Sequence, residues 1–209
     1  MSSDPQKANL NPLHNLILAS ASPRRKELLT ELIPNFRVLS SDEEELTTHR
    51  EGVVKLVQEN ARIKAEAVAS IHPSSWVLGA DTVVAVGEKV FGKPKSISAA
   101  EAMLVELSGQ SHQVHTGLCL IHTQSNYLEC RKDTSTVHFR RLNSEVISQY
   151  YHEVNPLDKA GGYAIQTNAD LIVEKFEGSY SNVVGLPLEL LKSWFVALNL
   201  LREVPDFEG

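Results

Sequence analysis

The run from Trp76 to Val86, WVLGADTVVAV, is the segment with least freedom in the chain, because its apolar and β-branched side chains suit a buried strand and little else. Ahead of it lies an alanine-rich stretch with apolar residues at Val53, Leu56, Val57, Ala61, Ala65 and Val68. That spacing predicts a helix over 53–69. Behind it, GEKVFGKP predicts a hairpin turn leading into a short strand. LILAS (Leu16 to Ser20) predicts an earlier strand, followed by a helix in which Ser22 is the N-cap, Pro23 the first residue, and Leu28, Leu29 and Leu32 share a face. FRVLS (Phe36 to Ser40) predicts a second strand. Strands and helices therefore alternate.

The second half continues the pattern with hairpins mixed in. Ser98 and Glu101 match an S-x-x-E capping box at the start of a helix that Gly109 stops. Gln113 to His122 and Tyr127 to Phe139 predict an antiparallel pair joined at Ser125-Asn126. A helix is expected over Glu145 to His152, strands at GYAIQ and LIVEKFEG, and a long helix from Leu188 to Leu201. A mixed α/β sheet follows from this order. Residues 1–12 are polar and proline-punctuated and predict a flexible N-terminal tail, with 13–209 forming a single domain.

Composition excludes several classes. With 22% charged and 42% hydrophobic residues, the chain is neither disordered nor collagen-like nor a disulfide scaffold. A net charge of -6 speaks against a dedicated nucleic-acid binder, which needs a basic face to replace the counterions of phosphates. No run reaches the length of a membrane span, and the start, MSSDPQKANLNPLHN, lacks a signal-peptide pattern. Cys119 and Cys130 allow at most one bridge. A soluble protein of the reducing cytoplasm is expected.

Four segments carry candidate chemistry. In ASASPRRKELL a strand ends among small residues and a helix begins, so Ser20 and unpaired backbone N–H groups form an anion site to which Arg24 and Arg25 add forked donors. The same residues also suit a capped surface helix. In GADTVV, Asp81 and Thr82 interrupt an apolar strand, where an aspartate can activate water or hold a divalent cation and a hydroxyl can read a ligand edge; a turn aspartate closing the strand is the alternative. Lys93 of GKP supplies a positive charge nearby. In DKAGGYAIQ, Gly161 and Gly162 permit close backbone approach or positive φ, and the Gln166 amide can pair with a nucleobase edge or sit exposed at a strand end. In SYSNVVGLPL, Asn182 and Gly185 predict a tight loop before a helix. His112 and His115 are three apart, hence on opposite faces of a strand, which argues against a zinc pair. Asp42 to Glu45 suits a solvated acidic loop, or one that brings a metal to a phosphate.

Taken in order and spacing, ASASPRR, GADTVV, GKP, LSGQSHQVHTG, PLDKAGGYAIQ and GSYSNVVGLPL resemble the Maf family of nucleoside triphosphate pyrophosphatases over about residues 16–200. The resemblance implies an elongated mixed-sheet, inosine triphosphatase-like α/β fold with a cleft between two lobes. It also implies a cytoplasmic homodimer that uses Mg²⁺ or Mn²⁺ to hydrolyse a nucleoside triphosphate to monophosphate and pyrophosphate. Position by position, Asp81 is similar to the family's proton acceptor, while Arg24, Thr82 and Gln166 resemble the combination of its dTTP/UTP branch rather than that of the 7-methyl-GTP branch. Ser20, Arg25, Lys64 and Lys93 match other polar positions of the family cleft, and Glu45 (or Glu44, one residue away) matches its acidic-loop glutamate. Metal is then expected between Glu45 and Asp81. Ile63 and TNAD (Thr167 to Asp170) depart from the family pattern. A 7-methyl-GTP or broad house-cleaning pyrophosphatase, and a nucleotide-sensing regulator of septum formation, are the alternative functions.

Overall fold

The computed structural model describes residues 12–202; the tail expected over residues 1–12 lies outside them except for Pro12, which opens a 3-10 turn over Pro12–Asn15. Strand β1 (Leu16–Ala19) leads into helix α1 (Pro23–Leu32), capped as expected by Ser22, whose hydroxyl accepts from the Arg25 N–H. Strand β2 is only Arg37–Val38, shorter than FRVLS predicts, because both residues are exposed at the sheet edge and pair with nothing but the four-residue β1. Helix α2 (Val53–Ile71) and strands β3 (Trp76–Val86) and β4 (Lys89–Phe91) follow.

Helix α3 (Ile97–Leu107) begins two residues earlier than the capping box predicts: Ser96, not Ser98, accepts from the Ala99 N–H at 3.1 Å, and the Ser98 hydroxyl bonds Ser96 instead. Strands β5 (Ser111–His122) and β6 (Tyr127–Phe139) form the expected antiparallel pair, and helix α4 (Ser144–Glu153) follows. GYAIQ is not a strand. Gly161 and Gly162 adopt φ of 69° and 72°, which no strand accommodates, and the segment is a 3-10 turn over Ala160–Gly162 followed by irregular chain. Strand β7 (Val173–Glu177), a short helix α5 (Tyr180–Val184) where a loop is expected, and helix α6 (Leu188–Ala197) complete the described chain. Helix α6 stops before Leu201 because Asn199 turns left-handed at φ 55°.

Among the described residues the seven strands form one mixed sheet in the order β2-β1-β3-β5-β6-β7, with β4 pairing β3 beyond the end of β1. Alternation along β3 divides its side chains between two faces. Leu78 and Ala80 belong to one apolar cluster, with Leu29, Trp194 and Phe195; Val84, further along the same face, belongs to another, with Leu104, Phe139 and Tyr150. Thr82 lies between them. The opposite face packs against α2 through Val77, Val83 and Ala85.

Helix α2 lies unusually close to the sheet. A Cβ added at Gly79 would stand 2.1 Å from the Ala61 carbonyl oxygen, and one at Gly117 would stand 2.3 Å from that of Val57. Only hydrogen fits there, so these two glycines set the depth at which α2 docks. No helix among the described residues is long and apolar enough to cross a membrane.

Candidate active site

The pairing of β1 with β3 ends at Ala19 and Gly79, and that of β3 with β4 begins at Val84. Between them the edge of β3 is open on that side, and the Ala80 carbonyl faces side chains rather than a strand. Arg25 donates to it at 2.9 Å. A cleft of about 250 Å³ opens here, between the two apolar clusters. Ser20, Arg24, Arg25, Glu45, Lys64, Thr82, Lys93 and Gln166 all line it, so one cavity collects residues that the sequence spreads over nearly 150 positions.

Asp81 stands apart. Its neighbour Thr82 faces the cleft, so Asp81 points to the α2 side of β3, where it is 4% exposed. Helix α2 meets it with two residues one turn apart: Lys64 donates to Oδ1 at 2.8 Å, and Asn60 donates to Oδ2 at 3.1 Å. Lys64 also contacts a Glu45 oxygen at 2.6 Å. One ammonium therefore bridges the two carboxylates expected to hold a metal, and Glu45, rather than Glu44, is the acidic-loop residue that reaches the cleft. Two carboxylates converging on one ammonium suit an oxygen-preferring divalent ion such as Mg²⁺, which takes few protein ligands. Among the described residues there is no cluster of three or more His, Cys, Asp or Glu that could hold a metal ion.

Arg25 spends its donors inside the protein. Its Nε bonds the Gly185 carbonyl at 2.9 Å, one terminal nitrogen bonds Ser20 and Ala80, and the other bonds Thr82 at 2.9 Å. Burial pulls its pKa down, against the opposing influence of Asp81 and Glu45. Arg25 thus ties the end of β1, the open edge of β3 and the turn after α5 together, and four of the five N–H groups an arginine carries are used in doing so. Arg24 spans the cleft instead, bonding the Asp158 carboxylate at 2.7 Å and its backbone carbonyl at 3.0 Å. Burial opposes ionisation of Asp158, yet hydrogen bonds from Lys159 and Arg24 hold its carboxyl below the usual range. Lys93 and Gln166 are exposed on the cleft wall, their polar ends free of protein partners.

The loop that carries Gln166 is held from behind by α4. The Tyr150 hydroxyl donates to the Ala164 carbonyl and accepts from the Ala164 N–H, both at 2.9 Å, and Tyr151 donates to the Gly162 carbonyl. Asn182, expected in a loop, is fully buried and bonds the Val114 carbonyl and Ser135. His112 and His115 do point apart, one to Tyr163 and the other to Thr134. Asn60 escaped the sequence reading although it left a signal, since it falls on the apolar stripe of α2 between Val57 and Ala61 and is buried there.

Residues 15–198 match the family of Maf-like proteins. A dTTP/UTP pyrophosphatase of Myxococcus xanthus (strain DK1622) is 48% identical over 83% of this chain and 87% of its own length. One of Clostridium novyi (strain NT) is 42% identical over 86% of this chain and 95% of its own. Among solved structures, a HAM1 protein from Coxiella burnetii aligns with 61% of this chain and 73% of its own at 17% identity and a TM-score of 0.46. With its match running from the start of β1 to the end of α6, and with relatives this similar along nearly their whole length, the chain is a member of the Maf-like protein family.

Proposed function

We propose that the protein is a hydrolase that splits dTTP and UTP into the nucleoside monophosphate and pyrophosphate. The observation that carries this reading is the Lys64 ammonium held between Glu45 and Asp81 at the wall of a cleft that also presents Arg24, Lys93, Thr82 and Gln166. Relatives named dTTP/UTP pyrophosphatase agree with it.

The chemistry needs the triphosphate charge neutralised, a water in line with the α-phosphorus, and a base for its proton. Arg24, Lys64 and Lys93 bind phosphate oxygens, Arg24 by exchanging Asp158 for the substrate. Arg25 and Ser20 hold the floor of the anion site. As Lys64 turns toward phosphate it releases Oδ1 of Asp81, which orients water and takes its proton as the oxygen bonds the α-phosphorus and the bond to the bridging oxygen breaks. Departing pyrophosphate is stabilised by the lysines. Glu45 and Asp81 would hold Mg²⁺ or Mn²⁺, which supplies Lewis-acid neutralisation of the triphosphate. Thr82 and Gln166 read the pyrimidine.

Cytoplasmic location belongs to the same reading and is proposed from family resemblance. A homodimer is proposed from family resemblance, and sedimentation of the purified protein tests it.

The deciding experiment is pyrophosphate release from dTTP, UTP, CTP and 7-methyl-GTP with Mg²⁺ or Mn²⁺. Turnover of dTTP and UTP above the other two is expected. Asp81→Asn, which keeps volume but cannot take a proton, should lower kcat by more than ~10-fold with the fold intact. Preference for 7-methyl-GTP, or nucleotide binding without pyrophosphate release, overturns the proposal.

A further inference from the structure

Glu45 sits on a stretch without regular structure between β2 and α2, with its side chain half exposed. Something must hold that loop against the cleft. Asn60 does so with all of its amide: Oδ1 accepts from the Leu46 N–H at 2.8 Å, and Nδ2 donates to the Leu46 carbonyl at 3.0 Å and to Asp81 Oδ2 at 3.1 Å. The Leu46 N–H fixes which end of the amide is oxygen, so the NH₂ end must face Asp81. At 2% exposure the amide is shielded from competing water. Asn60 and Lys64, one turn apart on α2, thereby take the two oxygens of Asp81 separately and leave each a free lone pair.

We propose that Asn60 is a positioning residue, which couples the acidic loop to the Asp81 carboxylate so that Glu45 and Asp81 hold a constant separation. The inference rests on the proposed function for its catalytic consequence, but the tether itself does not. Asn60 touches no substrate. Its loss should therefore lower kcat and leave the binding of triphosphate by Arg24 and Lys93 little changed.

The test compares Asn60→Leu, which removes the amide at similar volume, with Asn60→Asp, which keeps the acceptor for Leu46 but loses both donations. Each is made in the wild-type and Asp81→Asn backgrounds, and pyrophosphate release from dTTP and amide hydrogen exchange at Leu46 are measured. Both variants should lower kcat ~10- to 100-fold with KM for dTTP within ~3-fold, as suits a lost hydrogen bond to a charged group. In the Asp81→Asn background they should cost nothing further, because the two residues act as a unit. Leu46 should exchange faster in Asn60→Leu while protection in β3 is unchanged. A kcat within twofold of wild type, or equal losses in both backgrounds, overturns the proposal. If the wild type released no pyrophosphate from any nucleotide, the functional reading would fall, and exchange at Leu46 would still decide the tether: faster supports it, unchanged overturns it.

Discussion

Arg24 and Asp158, 134 positions apart, close the cleft on one side through two hydrogen bonds, one to the carboxylate and one to the backbone carbonyl. The side chains are 23% and 51% exposed, so the pair is weak by the standard of buried ions. It is the kind of contact that a triphosphate can displace. Asp158→Asn removes the competing charge and should lower KM for dTTP about two- to fivefold, the worth of an exposed ion pair. Arg24→Ala should raise KM, with Arg24→Lys restoring only part, since a point charge lacks the fork. Steady-state pyrophosphate release measures all three. A raised KM in Asp158→Asn would place Asp158 among the groups that bind substrate.

Base choice is expected to turn on Gln166, whose amide faces the cleft without a protein partner. Gln166→Glu replaces a donor by a charge. Turnover of dTTP and UTP should fall ~10-fold, with a relative gain for 7-methyl-GTP, whose cationic base favours a carboxylate. kcat/KM for the three nucleotides on both proteins is the measurement. Equal losses on all three would mean that Gln166 supports its loop.

Gly79→Ala tests how deeply α2 must sit. The new methyl would stand 2.1 Å from the Ala61 carbonyl oxygen, a backbone atom that cannot swing aside. Helix α2 must lift, at a cost of about 1–3 kcal/mol or somewhat more. Urea denaturation should show that loss. Activity should fall as well, because Asn60 and Lys64 leave Asp81 together with the helix. Wild-type stability in Gly79→Ala would refute the docking argument.

His112 should make the fold acid-sensitive. Burial, with a smaller contribution from His138, pushes its pKa down to about 4, below the value of about 6.5 for an unfolded chain. Between those values the unfolded state binds a proton that the folded state refuses, so stability is lost as pH falls from about 6.5 to about 4, by up to about 3 kcal/mol. Urea denaturation at pH 7 and pH 4.5 should give a smaller loss for His112→Gln than for wild type. Identical losses would assign the acid sensitivity elsewhere.

Where periodicity is strong, sequence and structure agree: β3 spans Trp76–Val86 as its composition predicts, and α2 starts at Val53. They part where backbone conformation overrides side-chain preference. GYAIQ has the residues of a strand, but two successive left-handed glycines and the hydroxyls of Tyr150 and Tyr151 hold it as a loop. At α3 the capping box pointed to Ser98, and the turn of the chain makes Ser96 the cap instead. Of the cleft residues, Thr82 was legible as a polar interruption of an apolar strand and Ser20, Arg24 and Arg25 as an anion site at a helix entry, whereas Lys64 entered only through the family resemblance. Their pairings were not legible, because Arg24 and Asp158 are 134 positions apart and Asn60 meets Leu46 only through the path of an irregular loop. Asn60 was readable in part, as a polar side chain on an apolar helix stripe.

Asp81 and Thr82 are consecutive, yet they face opposite sides of β3. A protein engineer thus inherits two workbenches on one strand. Thr82 can be exchanged to admit a different nucleotide without touching the hydrogen bonds that Lys64 and Asn60 make to Asp81, although Lys64 also reaches the same cleft. Insertion or deletion of a single residue within β3 would turn both side chains over at once, so length in this strand is far less forgiving than composition.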